Sequence, residues 1–410
     1  MSDFYQHDVI ATLHRLGNPS LKKLEKDLVV CSKRRPIALI IPVTFDDSRR
    51  STFEKIIKEL SHMPYLKRRL FTVGRTKKFE HFVSIYRKVK ARCPDSTIIW
   101  ASGPRMSKLI AQMENMGLPL GDDGKGRNVW LAYGNVISSD DCRVIAVHDA
   151  DIVNYNRELL ARLVFPVASP IQGYEFSKGY YSRVSDRMYG RVTRLFVTPL
   201  IRAFRYLLGE SAFLTYVDAF RYPLSGEIAI SASLARINQV PGDWGLEVGT
   251  LAEVYRNCAH RRICQVDICE NYEHKHQELG EKDKRTGLSL MAEDIAKVFF
   301  RTLASEGAIF TPNHLQSLVG IYRRHTYYIT RHHEADAALN GLVYDRHTEL
   351  LAVETFARSL VRAGEAFFDD PLGKPQIPNL NRVAAASDSF LRDIVSIPKK
   401  DMKKAESYSG

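Results

Sequence analysis

Two carboxylates follow a strand-like apolar run near the middle of the chain. Asp149 and Asp151 come directly after the run from Val144 to Val147 and are spaced i, i+2. In an extended backbone, side chains at that spacing point to the same side. Such a pair can hold a hard divalent cation, Mg²⁺ or Mn²⁺, which takes its other ligands from water and substrate phosphates. The pattern predicts metal-assisted chemistry on a phosphorylated substrate, and a solvated turn is the alternative.

A glycine-rich segment, residues 121–128, precedes this pair and carries Lys125 near its centre. Glycines allow the backbone to approach an anion closely, and the lysine would add a positive charge. The segment is not a Walker A motif, because the spacing differs and no strand directly precedes it. Two interpretations stay open at this point, a phosphate-binding loop and a flexible entry to a helix.

A second candidate anion site lies further along the chain, in a basic stretch. It consists of Gly190, Arg191, Val192 and Thr193, with Lys178, Arg183, Arg187 and Arg194 nearby. Arginine binds phosphate through paired hydrogen bonds, and a threonine hydroxyl adds a neutral donor. The alternative is an amphipathic helix whose basic face points to solvent.

Cysteines and histidines cluster between residues 258 and 276. The cluster comprises Cys258, His260, Cys264, Cys269, His274 and His276. Their spacings match none of the common zinc patterns, and Cys264 alternates with apolar residues as a buried strand would. We therefore favour a buried strand over a structural zinc site. Either His274 or His276 could still complete a metal site, since Mn²⁺ accepts nitrogen ligands.

The elements that must position these residues alternate between strands and helices. Strands are predicted over 37–41, 69–74, 97–100, 143–147, 171–176 and 264–268, and helices from 51, over 79–89, 106–116 and 186–208, from 245, and from 286 onward. This alternation predicts an α/β fold with a doubly wound, mostly parallel sheet. Ligands of such sheets bind at the carboxyl ends of the strands, where the carboxylate pair lies.

The composition limits the possible partners. The chain has 410 residues and a formal net charge of +12, which favours an anionic partner. We find no nucleic-acid-binding motif, so a basic nucleic-acid-binding protein is not favoured. The longest apolar segment, residues 196–217, is interrupted by charged residues and reads as a core helix pair rather than a membrane span. Six cysteines without a secretion signal indicate reduced thiols and a cytoplasmic location.

Taken in order, these segments resemble the glucosyl-3-phosphoglycerate synthases and their mannosyl relatives, which are retaining glycosyltransferases with the GT-A fold. The resemblance covers roughly residues 36 to 300. It rests on Pro42, Gly124-Lys125-Gly126, Asp149-Ala150-Asp151, Gly190-Arg191-Val192-Thr193, Pro223-Leu224-Ser225-Gly226-Glu227, Gly245-Leu246-Glu247-Val248-Gly249 and the segment that bears His274.

The resemblance implies a role for each matching residue. The donor nucleotide sugar would be bound by Pro42, Val43, Thr44, Asp46, Lys125, Asp149, Leu224, Ser225 and Gly226. Asp151 and His274 would hold Mg²⁺ or Mn²⁺, and Gly190, Arg191, Val192 and Thr193 would bind the acceptor's phosphate and carboxylate. Asp151, Glu247 and Arg191 are the implied catalytic residues. Here the loop after the first strand reads P-V-T-F-D, whereas the family's usual loop reads like P-A-L-N-E. The roles implied for this loop, contacts to the base and ribose of the donor nucleotide, are therefore the ones that the resemblance supports least.

The expected reaction is therefore transfer of glucose, with retention, from a nucleotide-diphosphate sugar to 3-phosphoglycerate. UDP and GDP donors, mannose, and free glycerate as the acceptor remain open. An alternative of a different class is a transferase that acts at the membrane surface on a polyprenyl phosphate, in which residues 196–217 would lie on lipid.

We divide the chain into an N-terminal extension (1–35), a nucleotide-sugar-binding core (36–165), an acceptor-binding part (166–285), a helical region (286–395) and a flexible basic tail (396–410). The resemblance also favours a homodimer.

Overall fold

An eight-stranded sheet forms the centre of the computed structural model, which describes residues 9–17, 20–242, 244–272, 287–387 and 389–408. Its strands are β1 (Ala11–Leu13), β2 (Ile37–Val43), β3 (Leu66–Val73), β4 (Thr97–Trp100), β5 (Val144–Val147), β6 (Phe176–Ser182), β7 (Ile228–Ser231) and β8 (Ile263–Asn271). They are arranged in the order β1-β8-β6-β7-β5-β2-β3-β4. β7 runs antiparallel to β5 and β6, and the other neighbouring pairs are parallel. The predicted mostly parallel α/β sheet is confirmed.

Helices cover both faces of this sheet. They are α1 (Leu21–Arg34), α2 (Phe45–Ser48), α3 (Ser51–Leu60), α4 (Phe79–Lys90), α5 (Pro104–Asn115), α6 (Lys125–Ser139), α7 (Arg157–Ala168), α8 (Thr198–Leu208), α9 (Ala212–Asp218), α10 (Ala232–Ile237), α11 (Leu246–Asn257), α12 (Gly287–Ser305), α13 (Pro312–Leu339), α14 (Arg346–Asp369), α15 (Leu380–Ala386) and α16 (Phe390–Glu406). A π-helical turn, Thr193–Val197, leads into α8.

The sequence of β2 explains how the sheet is buried on both faces. Ile37, Leu39 and Ile41 belong to the core cluster that includes α3, α4 and α7, whereas Ala38 and Ile40 belong to the cluster on the opposite face. A continuous apolar run is typical of a parallel strand that is covered on both sides, because successive side chains point to opposite faces. The sheet thus holds the ends of its strands rigidly where the cleft is formed.

Between residues 170 and 208, one predicted strand and the start of one predicted helix differ from the structure. The strand predicted over 171–176 is a turn, since Gly173 has a left-handed φ of 71° and Ile171 is exposed, and β6 begins only at Phe176. The helix predicted from Asp186 begins at Arg191. Gly190, with a φ of 72°, interrupts a helical path at that point. The residues before it form a loop, in which the Tyr189 amide donates to the carbonyl of Arg183.

The two ends of the described chain are ordered parts of the fold. β1 pairs with β8, so the N-terminal extension contributes an edge strand that the sequence did not reveal. The tail predicted to be flexible, 396–410, is helical as far as Glu406, because α16 buries Ile397 and Ala405 against the core. Its apolar residues recur at helical spacing while its lysines stay exposed. Among the residues that the structure describes, no helix is both long and apolar enough to cross a membrane.

Candidate active site

A cleft of about 970 Å³ opens at the carboxyl ends of β2 and β5. Most of the residues singled out in the sequence line it, although they come from six separate segments of the chain. They are Pro42, Val43, Thr44, Lys125, Asp149, Asp151, Gly190, Arg191, Val192, Thr193, Leu224 and Glu247. The fold therefore brings the candidate donor, metal and acceptor residues into one cavity, and their individual roles stay predictions.

The carboxylate pair lies just beyond the end of β5. Burial, together with the negative charges of Asp149 and Asp47, raises the pKa of Asp151 to about 7. A divalent cation would favour the ionised form of Asp151, so this carboxylate pair fits the Mg²⁺ or Mn²⁺ predicted from the sequence. Within the described ranges, no group of three His, Cys, Asp or Glu side chains has the arrangement of a metal site. His274 and His276 lie outside those ranges.

Lys125 links this pair to the opposite wall of the cleft. Its Nζ lies 2.7 Å from Oδ1 of Asp149 and 3.1 Å from Oε1 of Glu247. Burial by itself would lower the pKa of Lys125, but the two carboxylates outweigh that effect and the pKa is raised. The glycine-rich segment is the entry to α6, since Lys125 is the first residue of that helix. A Cβ on Gly126 would lie 2.0 Å from the carbonyl oxygen of Pro241, so only glycine fits beside the lysine.

The loop between Thr44 and Asp47 differs from the prediction. The Thr44 hydroxyl caps α2: it accepts from the Asp47 amide at 3.1 Å and donates to Asp47 Oδ2 at 2.6 Å. This turn places Asp47 at the cleft and leaves Asp46 exposed outside its lining. The role of Asp46 in donor binding stays a prediction, and Asp47, which lines the cleft, is added as a candidate.

Ser225 and Gly226 lie behind the cleft rather than on its surface. The Ser225 hydroxyl donates to Oε2 of Glu227 at 3.0 Å, and the backbone carbonyl of Ser225 accepts from Nζ of Lys178 at 2.6 Å. Gly226 packs against the ion pair, since a Cβ there would lie 2.7 Å from Asp149 Oδ2 and 2.9 Å from Lys125 Nζ. The backbone of this turn, rather than the Ser225 side chain, supports the residues that line the cavity.

A buried polar network supports that turn, and the sequence did not indicate it. Glu227, which is 1% exposed, accepts hydrogen bonds from the hydroxyls of Tyr181 and Tyr272 as well as from Ser225. The two tyrosine rings stack with their centroids 3.8 Å apart. Lys178, also 1% exposed, lies beneath the site and not on a basic surface. Burial lowers its pKa to about 8, although Glu247 and Glu227 act in the opposite direction.

The candidate acceptor segment also lines this cleft. Arg183, Arg187 and Arg191 line the cavity together with a nearby carboxylate, Asp186, which pairs with Arg187, so this part of the lining is basic. Thr193 begins the π-helical turn, a feature that is common at functional sites. Its buried hydroxyl has no hydrogen-bond partner among the described residues. Arg191 and Thr193 thus face the cleft, which favours the anion site over a basic face turned to solvent.

The lining therefore contains two chemically different groups of side chains. We call them the donor end (Lys125, Asp149, Asp151 and Glu247) and the acceptor end (Arg183, Arg187, Arg191 and Thr193). Carboxylates at one end can hold a cation and with it a diphosphate, and arginines at the other end can bind a second anion. On this type of sheet, such an arrangement defines a nucleotide-sugar-dependent glycosyltransferase of the GT-A class.

Comparison with known proteins narrows this class to a family. The chain is 43% identical over 398 residues to a glucosyl-3-phosphoglycerate synthase from Persephonella marina, covering 96% of this chain and 98% of that relative. It is 38% identical over 378 residues to one from Methanococcoides burtonii, covering 90% and 91%. The chain belongs to the glucosyl-3-phosphoglycerate synthase family. A scan against models of protein families found none that matches.

Solved structures share the fold at much lower identity. A glucosyl-3-phosphoglycerate synthase from Mycobacterium tuberculosis, in complex with Mn²⁺, UDP-glucose and phosphoglyceric acid, superposes with a TM-score of 0.53 at 19% identity. The match covers 74% of this chain and 89% of that one. The same enzyme with Mg²⁺ and UDP gives a TM-score of 0.52, also at 19% identity, over 74% and 89% of the two chains.

Proposed function

We propose that this protein transfers glucose from UDP-glucose to 3-phosphoglycerate, with retention, and gives glucosyl-3-phosphoglycerate. The family supports this reaction, since the two relatives above carry its name over nearly their whole length. The related M. tuberculosis enzyme binds UDP-glucose and phosphoglyceric acid together with Mn²⁺. The observation in this chain that carries the proposal is the divided cleft, with a carboxylate pair at one end and Arg191 with Thr193 at the other.

At the donor end, Asp149 and Asp151 would hold Mg²⁺ or Mn²⁺, which when bound neutralises the charge of the leaving diphosphate. Lys125 keeps Asp149 and Glu247 in fixed positions through its two short contacts. Glu247 retains its second carboxylate oxygen for hydroxyl groups of the sugar. We assign no protein nucleophile and no general base, because the departing phosphate oxygen could accept the proton of the acceptor hydroxyl.

At the acceptor end, Arg191 and Thr193 would bind the phosphate and carboxylate of 3-phosphoglycerate. Holding an anionic acceptor beside the donor turns a bimolecular encounter into a positioned one. Arg191→Ala should therefore raise the KM for 3-phosphoglycerate by about tenfold or more while changing the KM for UDP-glucose little. Initial-rate kinetics with each substrate varied in turn would measure this. An unchanged KM for the acceptor would contradict the assignment of Arg191.

A membrane-surface reaction is less well supported by the packing of α8 and α9. The apolar side chains that would have to lie on lipid, among them Leu200, Phe204 and Phe213, are fully buried inside the protein.

The cytoplasmic location and the homodimer stay predictions. Size-exclusion chromatography with light scattering would test the dimer, since a mass near twice 46.7 kDa is expected.

A product assay tests the proposal as a whole. Purified protein, Mg²⁺ or Mn²⁺ and 3-phosphoglycerate would be combined with UDP-, GDP- and ADP-linked glucose and mannose, and with free glycerate as a second acceptor. A phosphorylated glucosylglycerate that forms from UDP-glucose only when metal is present is the expected result. Asp151→Asn should form none, whereas Asp95→Asn, an exposed carboxylate before β4, should match the wild type. Hydrolysis of the donor without this product would refute the acceptor.

A further inference from the structure

The helical region contacts the acceptor end of the cleft through α14. Glu349, in the first turn of that helix, is 4% exposed and lies between two arginines of the acceptor segment. Its Oε1 lies 2.9 Å from Nε of Arg191, and its Oε2 lies 2.9 Å from Nη1 of Arg194. The loop before α14 makes a second contact, because the amide of Val343 donates to the carbonyl of Asp186 at 2.8 Å.

The two arginines differ in what else they bind. Arg194 donates from Nε to the Tyr189 carbonyl at 2.9 Å and from Nη2 to the Met188 carbonyl at 3.2 Å, so it is tied to the loop backbone. Arg191 contacts Glu349 through Nε, and its side chain is more exposed, at 32% against 14%. Among the described residues, the Arg191 guanidinium has no further hydrogen-bond or ion-pair partner. Its two Nη groups are therefore the part that can meet a ligand in the cleft.

The charges explain why the carboxylate matters to Arg191. Two guanidinium groups that share one buried carboxylate have a net charge of +1, whereas without it they would repel each other. Buried charges are stable only when they are paired, so removing Glu349 would favour an Arg191 that turns toward water. An arginine held through Nε keeps its planar Nη edge in one orientation, which is the edge that binds phosphate or carboxylate in pairs.

We propose that Glu349 is a positioning residue for the acceptor: it orients Arg191 so that the Nη edge faces the incoming anion. This inference rests on the proposed function, in which Arg191 binds the phosphorylated acceptor. It makes α14 part of the acceptor site, although Glu349 itself is screened from the cleft by the arginines. Glu349 would instead compete with the acceptor if its carboxylate bound the Nη edge of Arg191. The hydrogen bond to Glu349 comes from Nε, so the Nη edge is left for the acceptor.

Glu349→Gln tests the proposal, because glutamine keeps the size and one acceptor oxygen but removes the charge. We expect the KM for 3-phosphoglycerate to rise about tenfold, with the KM for UDP-glucose and the kcat at saturating acceptor changed less than about twofold. Glu354 on the same helix supplies the matched control. It pairs with Arg323 at 2.9 Å, and neither residue lines the cleft. Glu354→Gln should leave both KM values unchanged.

Two results would overturn the proposal. An unchanged KM for the acceptor in Glu349→Gln would show that Arg191 does not need the carboxylate, and a lowered KM would show competition instead. Coupling gives a further test: in an Arg191→Gln background, Glu349→Gln should have little additional effect on the acceptor KM, and an undiminished effect would refute positioning through Arg191.

Failure of the proposed function can be told apart from failure of this inference. A wild-type protein that makes no product from 3-phosphoglycerate would refute the function. Calorimetric titration with inorganic phosphate, on wild type and Glu349→Gln, would still test the orientation of Arg191. Weaker phosphate binding in the variant is expected, and equal binding would overturn the inference. Thermal melting of each variant, compared with Glu354→Gln, establishes that the folded proteins are being compared.

Discussion

Asp151→Asn is expected to stabilise the metal-free protein while it abolishes turnover. Burial and the neighbouring charges of Asp149 and Asp47 raise the pKa of Asp151 from its usual 3.8 to about 7. Each pKa unit corresponds to about 1.4 kcal/mol, so the full shift sets an upper limit of about 4 kcal/mol. Because Asp151 is only half-buried and water screens part of the repulsion, we expect about 1–2 kcal/mol in practice.

The sign of the pH dependence follows from proton binding. Between pH 4 and 7 the unfolded chain has already released the proton of Asp151, whereas the folded protein still holds it. The free energy of unfolding therefore falls as the pH rises through this window. Asparagine does not titrate, so the advantage of the variant should be near zero at pH 4, grow up to about pH 7 and then stay constant.

Urea unfolding in EDTA, at intervals from pH 4.5 to 8.5, would measure this difference. Asp95→Asn, which removes an exposed carboxylate before β4, controls for the loss of one negative charge. Addition of Mn²⁺ with UDP should raise the stability of the wild type and not that of Asp151→Asn, because ligand that binds only the folded state stabilises it. A variant that is no more stable than wild type at pH 8, or a difference that is independent of pH, would refute the electrostatic argument.

Two substitutions near Asp151 and one truncation of the C-terminal helix give further tests. Lys125→Met should raise the KM for UDP-glucose about tenfold, since Asp149 and Glu247 lose the cation that holds them, and initial-rate kinetics would show it. Gly226→Ala should lower kcat about tenfold with little loss of folding, because its Cβ would lie 2.7 Å from Asp149 Oδ2. Truncation that removes Phe390–Glu406 should abolish cooperative thermal unfolding, followed by circular dichroism, because it uncovers buried apolar residues of the core.

The central sheet could be predicted because its signals are local. β2 and β5 are short apolar runs, each buried on both faces, and the polar residues directly after them lie at the sheet edge where ligands bind. The position of Asp149 and Asp151 followed from that pattern. One local signal was overlooked: the spacing of Thr44 and Asp47 is that of a capping box, with aspartate at the fourth position, and it would have selected Asp47 over Asp46.

Other features depend on residues that are far apart in the chain. Arg191 and Glu349 are separated by 158 positions, so no local spacing could have paired them. Lys178 belongs to a basic stretch in the sequence, yet the fold buries it beneath the donor end. The prediction for α16 failed for a different reason. It was based on the exposed lysines and did not use the apolar residues that recur at helical spacing between them. The assembled fold decides the first two cases, whereas the apolar pattern of α16 was already present in the sequence.

The positive net charge of the chain does not by itself show where anionic substrates bind, so the charges of the donor end and the acceptor end must be considered one at a time. At the donor end, Asp149, Asp151 and Glu247 outnumber Lys125, so this end attracts a divalent cation and would repel a bare diphosphate. At the acceptor end, Arg183, Arg187 and Arg191 face the cavity and outnumber Asp186, which pairs with Arg187. Glu349 neutralises only the inner edge of Arg191. A donor anion therefore needs a metal to enter, whereas the acceptor anion does not. Binding of 3-phosphoglycerate should accordingly tolerate EDTA, and binding of UDP should be lost in it, which calorimetry on the wild type can decide.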